Sequence, residues 1–325
     1  MRNNPLLLAI LGALAGCSET FRDTGCMEVP AEQTTCKSEA SVEPGDLFLP
    51  NKCGDDLEIS EVLGPGKRGT TNLETGSKET CCYPVEVVDH DPDAECMVGR
   101  PYFEDGTARS APLRSRAPAP ASARAVAWAN AGRGEHASIA AFARLALQLL
   151  RHGAPAELLR GVHQAALDEI RHSEVCWSLS ERFGAGAVTA GDFPFAGPVA
   201  VDISLAELAA AAVREGCLAE TLGAHVTDVA ARRASDPFVR EALRSIADEE
   251  ATHAVLSFRI VAWALAVGGD DVMAAVRTAL RKPWPRLDVA ELALRANVDA
   301  AELRAAASEG VRDVLEPAVA RLLAS

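Results

Sequence analysis

Glu169-Ile-Arg-His172 and Glu250-Ala-Thr-His253 each set a carboxylate and an imidazole three residues apart inside a stretch with helical hydrophobic spacing. In a helix of roughly 3.6 residues per turn, positions i and i+3 share a face, so each stretch presents two metal-ligating groups to one point. Extending outward at roughly 100° per residue shows what surrounds them. Leu158, Val162, Glu169 and Cys176 fall in one narrow arc flanked by His172; Val239, Leu243, Ile246 and Glu250 fall in another flanked by His253. Trp128, Glu135, Phe142 and Leu149 recur every seven residues, so Glu135 interrupts an apolar stripe. A fourth seam, Leu208, Glu215, Leu222 and Val229, carries Glu215, with Glu220 roughly 140° away at α-helical pitch. Glu215 is therefore the expected ligand from that helix, and Glu220 the alternate.

Punctuation between these stretches predicts helices over about 124–151, 155–183, 205–234 and 237–267. Gly153-Ala-Pro155 ends the first and opens the second, Ser204-x-x-Glu207 reads as a capping box, and Ser235-Asp236-Pro237 separates the last two. Two short turns and one long Gly/Pro/Ala-rich connection result. Weaker helices are expected at about 271–281, 288–309 and 311–323, as accessory helices within 268–325.

A carboxylate buried without a partner costs several kcal/mol. Four at matching depth call for cations, and two divalent ions would neutralise them. Carboxylate oxygen mixed with imidazole suits iron or manganese. Asp168 and Glu249, each preceding a ligand glutamate and one turn from a histidine, are placed to orient the imidazoles.

At these residues the sequence resembles the ferritin-like di-iron carboxylate superfamily, whose pattern is one Glu from each of two helices and Glu-x-x-His from each of the other two. The resemblance covers about 124–267. It implies an all-α ferritin-like four-helix bundle holding two iron ions, or manganese or a mixed pair, on Glu135, Glu169, His172, Glu215, Glu250 and His253. Asp168-Glu-Ile-Arg-His172 is similar to a variant found in acyl carrier protein desaturases and some hydroxylases. Glu215-Gly-Cys-Leu-Ala-Glu220 is similar to the third-helix segment of quinone-biosynthesis hydroxylases. The implied activity is oxygen- or peroxide-dependent oxidation of a small-molecule substrate with an external electron donor; the sequence names neither. Metal handling or peroxide removal of the ferritin or rubrerythrin kind is the alternative, and a structural lipoprotein with a degenerate bundle is a third.

Upstream, Met1-Arg2, an apolar run from Pro5 to Ala15, and Leu14-Ala15-Gly16-Cys17 resemble a bacterial lipoprotein signal. This implies that residues 1–16 are removed and that Cys17 is lipidated, placing the protein at the outer membrane, facing periplasm or cell surface. Residues 17–103 carry Cys26, Cys36, Cys53, Cys81, Cys82 and Cys96 with little helical periodicity, which in an exported chain predicts a small disulfide-rich, mainly β or irregular module. Ser, Ala, Pro and Arg over 104–123 read as a linker. A net charge of −14 with no basic stripe excludes nucleic acid as a partner.

Overall fold

In a computed structural model of the chain, the described residues are 19–30, 35–44, 47, 57–73, 76–89, 96–97, 100–104, 107–115, 121–282, 286–287 and 289–323. The expected signal over 1–16, the lipidation site Cys17, and Cys53 lie outside them. The chain forms two compact units, Met1–Cys96 and Met97–Ser325.

The first unit is built on an antiparallel sheet of β1 (Glu19–Glu28), β2 (Leu57–Val62), β3 (Lys67–Leu73) and β4 (Gly76–Asp89). The long β4 pairs with β1 along most of its length, with β2 over Val85–Asp89 and with β3 over Gly76–Cys82. Side chains alternate across a strand, so Cys81, Tyr83 and Val85 share the face that packs with Val29, Val42 and Leu47 into a small core. The same alternation lets two adjacent cysteines serve different bonds. Cys82 bridges to Cys26, its direct cross-strand neighbour, and Cys81 bridges from the core to Cys36. These are the two disulfides among the described residues; the Cys96 side chain is not among them.

A core this small needs covalent help. The bonds close loops spanning 56 and 45 residues, so by the chain-entropy relation each contributes about 4 kcal/mol. Reduction is accordingly expected to unfold this sheet at ambient temperature, read as complete alkylation of Cys26, Cys36, Cys81 and Cys82. Incomplete alkylation without denaturant would show that the small apolar core suffices.

The second unit is mostly helical. Its main elements are α1 (Ala123–Arg151), α2 (Ala156–Ser180), α3 (Leu205–Ala211), α4 (Thr221–Arg233) and α5 (Pro237–Arg281), with α3 and α4 joined by a π-helical segment, Ala212–Glu220. The predicted caps form. Ser122 accepts from Ala125 N at α1, Ser204 and Glu207 make both bonds of the capping box at α3, and Asp236 accepts from Phe238 N and Val239 N ahead of α5. α1 ends at Gly153, whose φ of 67° suits glycine. A tight turn there lets α2 return along α1; α3, the π segment and α4 pack along α5, and α2 packs against α5. The apolar seams from all of these elements meet in one core that includes Trp128, Phe142, Leu158, Leu218, Leu243 and Ile260. An 18-residue window of α5 reaches a mean hydropathy of 1.4, enough by composition to cross a bilayer, yet Ile260, Val261 and Ala264 within α5 are packed in this core.

Three expectations differ from the fold. The stretch from 104 to 115 is not a free linker, and the helical unit begins at Met97 rather than at 124. Strands β5 (Tyr102–Glu104) and β6 (Thr107–Arg109) form a hairpin, and β7 (Leu113–Ser115) pairs with β8 (Val188–Ala190) in the long connection after α2. Buried Tyr102 fixes the arrangement: it meets Phe193 and Phe195 edge-on and the Arg144 guanidinium stacks on its ring. The helix expected over 288–309 is broken into α6 (Val289–Ala296) and α7 (Ala300–Gly310). Asn297 sits at φ 56°, Val298 N donates to Ala293 O in a Schellman closure, and Asp299 caps the next helix. A π turn (Val311–Leu315) and α8 (Glu316–Leu322) complete the unit.

Candidate metal centre

The seams of α1, α2 and α5 deliver Glu135, Glu169, His172, Glu250 and His253 to the interior, where each is at most 6% exposed. Ligand atoms of Glu135, Glu169, His172 and Glu250 lie within 4.8 Å of one another, as do those of Glu220, Glu250 and His253. This buried acidic and imidazole cluster could hold a metal ion.

Its geometry is ordered by the histidines. His172 Nδ1 lies 3.5 Å from Glu169 Oε2, 3.6 Å from Glu250 Oε1 and 3.9 Å from Glu135 Oε2. His253 Nδ1 lies 3.3 Å from Glu169 Oε1 and 4.0 Å from Glu250 Oε2. Glu169 and Glu250 thus each turn one oxygen toward each imidazole. Both Nδ1 atoms, Glu135 Oε2 and Glu169 Oε2 are buried without a hydrogen-bond partner. Buried polar groups are normally paired, so four orphaned atoms converging on one place fit a cation.

The outer nitrogens are held in a crossed pattern. His172 on α2 contacts Glu249 on α5 through Nε2 at 2.7 Å, and His253 on α5 contacts Asp168 on α2 through Nε2 at 3.2 Å. The expected orienting carboxylates therefore serve the histidine of the opposite helix. A carboxylate at Nε2 fixes that nitrogen as the donor and turns Nδ1 inward, which suits a metal-ligating imidazole. Arg171, inside the Asp168–His172 motif, pairs with both Asp168 and Glu249 and ties the two bridges together.

Glu215 is the misplaced residue. Glu220, 1% exposed, joins the cluster, whereas Glu215 pairs with Arg100 and is not among the converging ligands. The cause is the π-helical segment that contains both. With i→i+5 bonding each residue turns through less than the α-helical angle, so phase slips and Glu220 rotates inward as Glu215 moves toward the surface. Cys176 and Cys217 are both free and buried in the core.

Without a cation, the charges compensate one another. Burial raises the Glu135 carboxyl well above its usual range, and Glu169 and Glu250 raise it further. Burial opposes ionisation of Glu169, but two imidazoles outweigh it and depress its pKa to about 2. Burial would lower both histidines; the surrounding carboxylates instead raise His172 to about 12 and His253 to about 9. Burial lifts Glu220 to about 7, against the pull of Arg100.

Two further residues had no sequence signal assigned to them. Arg100 comes from the segment before the helices, 2% exposed, with Nη1 3.5 Å from Glu220 Oε1. Ser257, one turn beyond His253, donates to Glu220 Oε2 at 3.3 Å. Comparison with protein-family models, with curated proteins and with solved structures finds no match to this chain.

Proposed function

We propose that this chain is an exported di-metal carboxylate protein, with iron the expected metal and manganese or a mixed pair the alternative, that oxidises a small apolar organic molecule with oxygen or peroxide. The carrying observation is that Glu169 and Glu250 each face both imidazoles, so each would help to hold both cations. Glu135 beside His172 and Glu220 beside His253 would complete two positions. Two divalent cations balance these four carboxylates, and the packing of α1, α2, α3–α4 and α5 supports a ferritin-like four-helix bundle.

Bound iron would supply the redox chemistry. The chain's part is to orient the imidazoles through Asp168 and Glu249, to hold four carboxylates at fixed depth, and to keep bulk water away with Phe142 packed on His253. A cleft of about 440 Å³ between α4 and α5, lined by His225, Asp228 and Asp248 as well as by apolar side chains, is the place proposed for an organic substrate. Its lining includes Thr221, next to Glu220, and Ala247 and Ala254, one turn either side of Glu250; Phe258 and Val314 widen the apolar surface. Such a volume suits a small ligand.

Export, with a lipid on Cys17 anchoring the chain to the outer membrane, is supported by the two disulfides, which persist in oxidising compartments. Cytoplasmic reductants are absent there, so an electron donor outside the cytoplasm is required.

The test is anaerobic loading with ferrous iron, expected to leave about two equivalents per chain after desalting; a trace amount overturns the reading. Loaded protein given oxygen, ascorbate and naphthalene should then yield an oxygenated product, with the second oxygen atom leaving as water on two electrons from ascorbate. Ala251→Trp fills the cleft from an exposed lining position and should abolish product while leaving iron content unchanged. Iron oxidation without organic product would favour metal handling.

A further inference from the structure

Glu135 and Glu220 are the two carboxylates that each serve one histidine, yet their surroundings differ. Glu135 Oε2 has no hydrogen-bond partner. Both oxygens of Glu220 are taken: Oε1 lies 3.5 Å from Arg100 Nη1 and Oε2 accepts from Ser257 Oγ at 3.3 Å. Arg100 is itself held by further contacts. Its Nε donates to Glu215 Oε2 at 3.4 Å, it lies 4.8 Å from the centre of the Phe142 ring, and the Arg100 backbone N donates to Ser138 Oγ at 3.2 Å. Even the backbone makes room: a Cβ on Gly216 would stand 2.0 Å from Ser257 Oγ and 3.2 Å from Arg100 Nη2.

Resting on the two-metal reading above, we propose that Arg100 is a positioning residue that makes the two metal positions unequal. Its buried positive charge restrains Glu220 and opposes a cation there, so the Glu135–His172 position fills first and the Glu220–His253 position fills second and more weakly. Glu215 tempers the effect by neutralising part of the guanidinium charge. Arg100 lies outside the stretch that carries the metal-ligand pattern, so the asymmetry belongs to this chain's own N-terminal segment of the helical unit.

Manganese(II) titration of the full chain, followed by calorimetry and electron paramagnetic resonance, tests this. Two binding events are expected, the first giving an isolated manganese signal and the second a spin-coupled one. Glu220→Gln should remove the weak event alone. Arg100→Gln, which drops the charge, should tighten the weak event on the order of tenfold and leave the tight one unchanged, while Arg100→Lys restores the wild-type separation. Glu215→Gln, at a partly exposed position, unmasks the guanidinium and should weaken the same event; this opposite shift is one that a purely structural Arg100 would not produce. Two equal events in the wild type, an unaffected Glu220→Gln protein, or a weak event that Arg100→Gln fails to tighten each overturns the proposal. If Arg100→Gln does not fold, an unchanged weak event in Glu215→Gln overturns it. No manganese bound at all removes the two-metal reading and this inference with it.

Discussion

Glu169→Ala is expected to empty both metal positions, whereas Glu135→Ala should empty only one. Glu169 Oε1 is 3.3 Å from His253 Nδ1 and Oε2 is 3.5 Å from His172 Nδ1, so one substitution removes a donor from each half of the cluster. Glu135 groups with His172 and not with His253. Loss of groups that merely orient a ligand typically costs 10–100-fold in metal affinity, so losing a shared ligand should cost more than about 100-fold at each position. Metal content after loading and desalting should therefore fall to a trace in Glu169→Ala and to about half in Glu135→Ala, with the helical circular dichroism signal as the control for folding. The double variant Glu169→Ala, Glu250→Ala should match the Glu169→Ala single variant. Full retention of metal by Glu169→Ala would show that its carboxylate does not face both ions.

The parts of this site that could be read from sequence are those set by unbroken α-helical pitch. Glu135 on the Trp128–Leu149 stripe, and the two Glu-x-x-His pairs on α2 and α5, fall where constant rotation puts them, and all are buried. Constant α-helical rotation does not hold on the third seam because Ala212–Glu220 is π-helical; no residue type in Ala-Val-Arg-Glu-Gly-Cys-Leu-Ala-Glu marks that change. Gly216 is the nearest to a clue, since a Cβ there would collide with Ser257, but the collision depends on a helix some forty residues away. Arg100 was out of reach for a related reason. Its burial depends on Glu215, Glu220 and Phe142, all distant in sequence, and the sequence reading places it at the end of the cysteine-rich module over 17–103. The break at Asn297 is different: Asn-Val-Asp299 spells a left-handed C-terminus followed by an N-cap, and the apolar periodicity on either side masked it. The crossed pairing of Asp168 with His253 and Glu249 with His172 needs the packing of α2 on α5 before it can be seen.

That crossed, carboxylate-rich setting also makes metal loading steeply dependent on pH. Without a cation His253 is pushed up to about 9 and His172 to about 12, because the carboxylates around them more than offset the burial that would lower them. Both imidazoles therefore carry protons from pH 6 to 8, and ligation through Nδ1 displaces one from each. Combined affinity for two cations is expected to rise at least about 100-fold per pH unit across this range, since each displaced proton contributes about a factor of ten, and the Glu135 and Glu220 carboxyls, both raised by burial, add to the slope where they are protonated. Stability runs in opposite directions in the two states. A folded-state pKa above the unfolded value of about 6.5 stabilises the cation-free fold fully below that pH, and the contribution is lost as pH rises through about 9 for His253 and about 12 for His172. Glu169, depressed to about 2, acts at the other end: its contribution is present above the usual carboxylate range and is lost as pH falls through that value. Raising the pH should thus weaken the cation-free protein while tightening the loaded one, so the Tm gained on adding manganese(II) widens from pH 6 to 9. Calorimetry in buffers of different ionisation enthalpy counts the protons directly; an affinity independent of pH with no proton release would mean that the ion does not bind at His172 and His253.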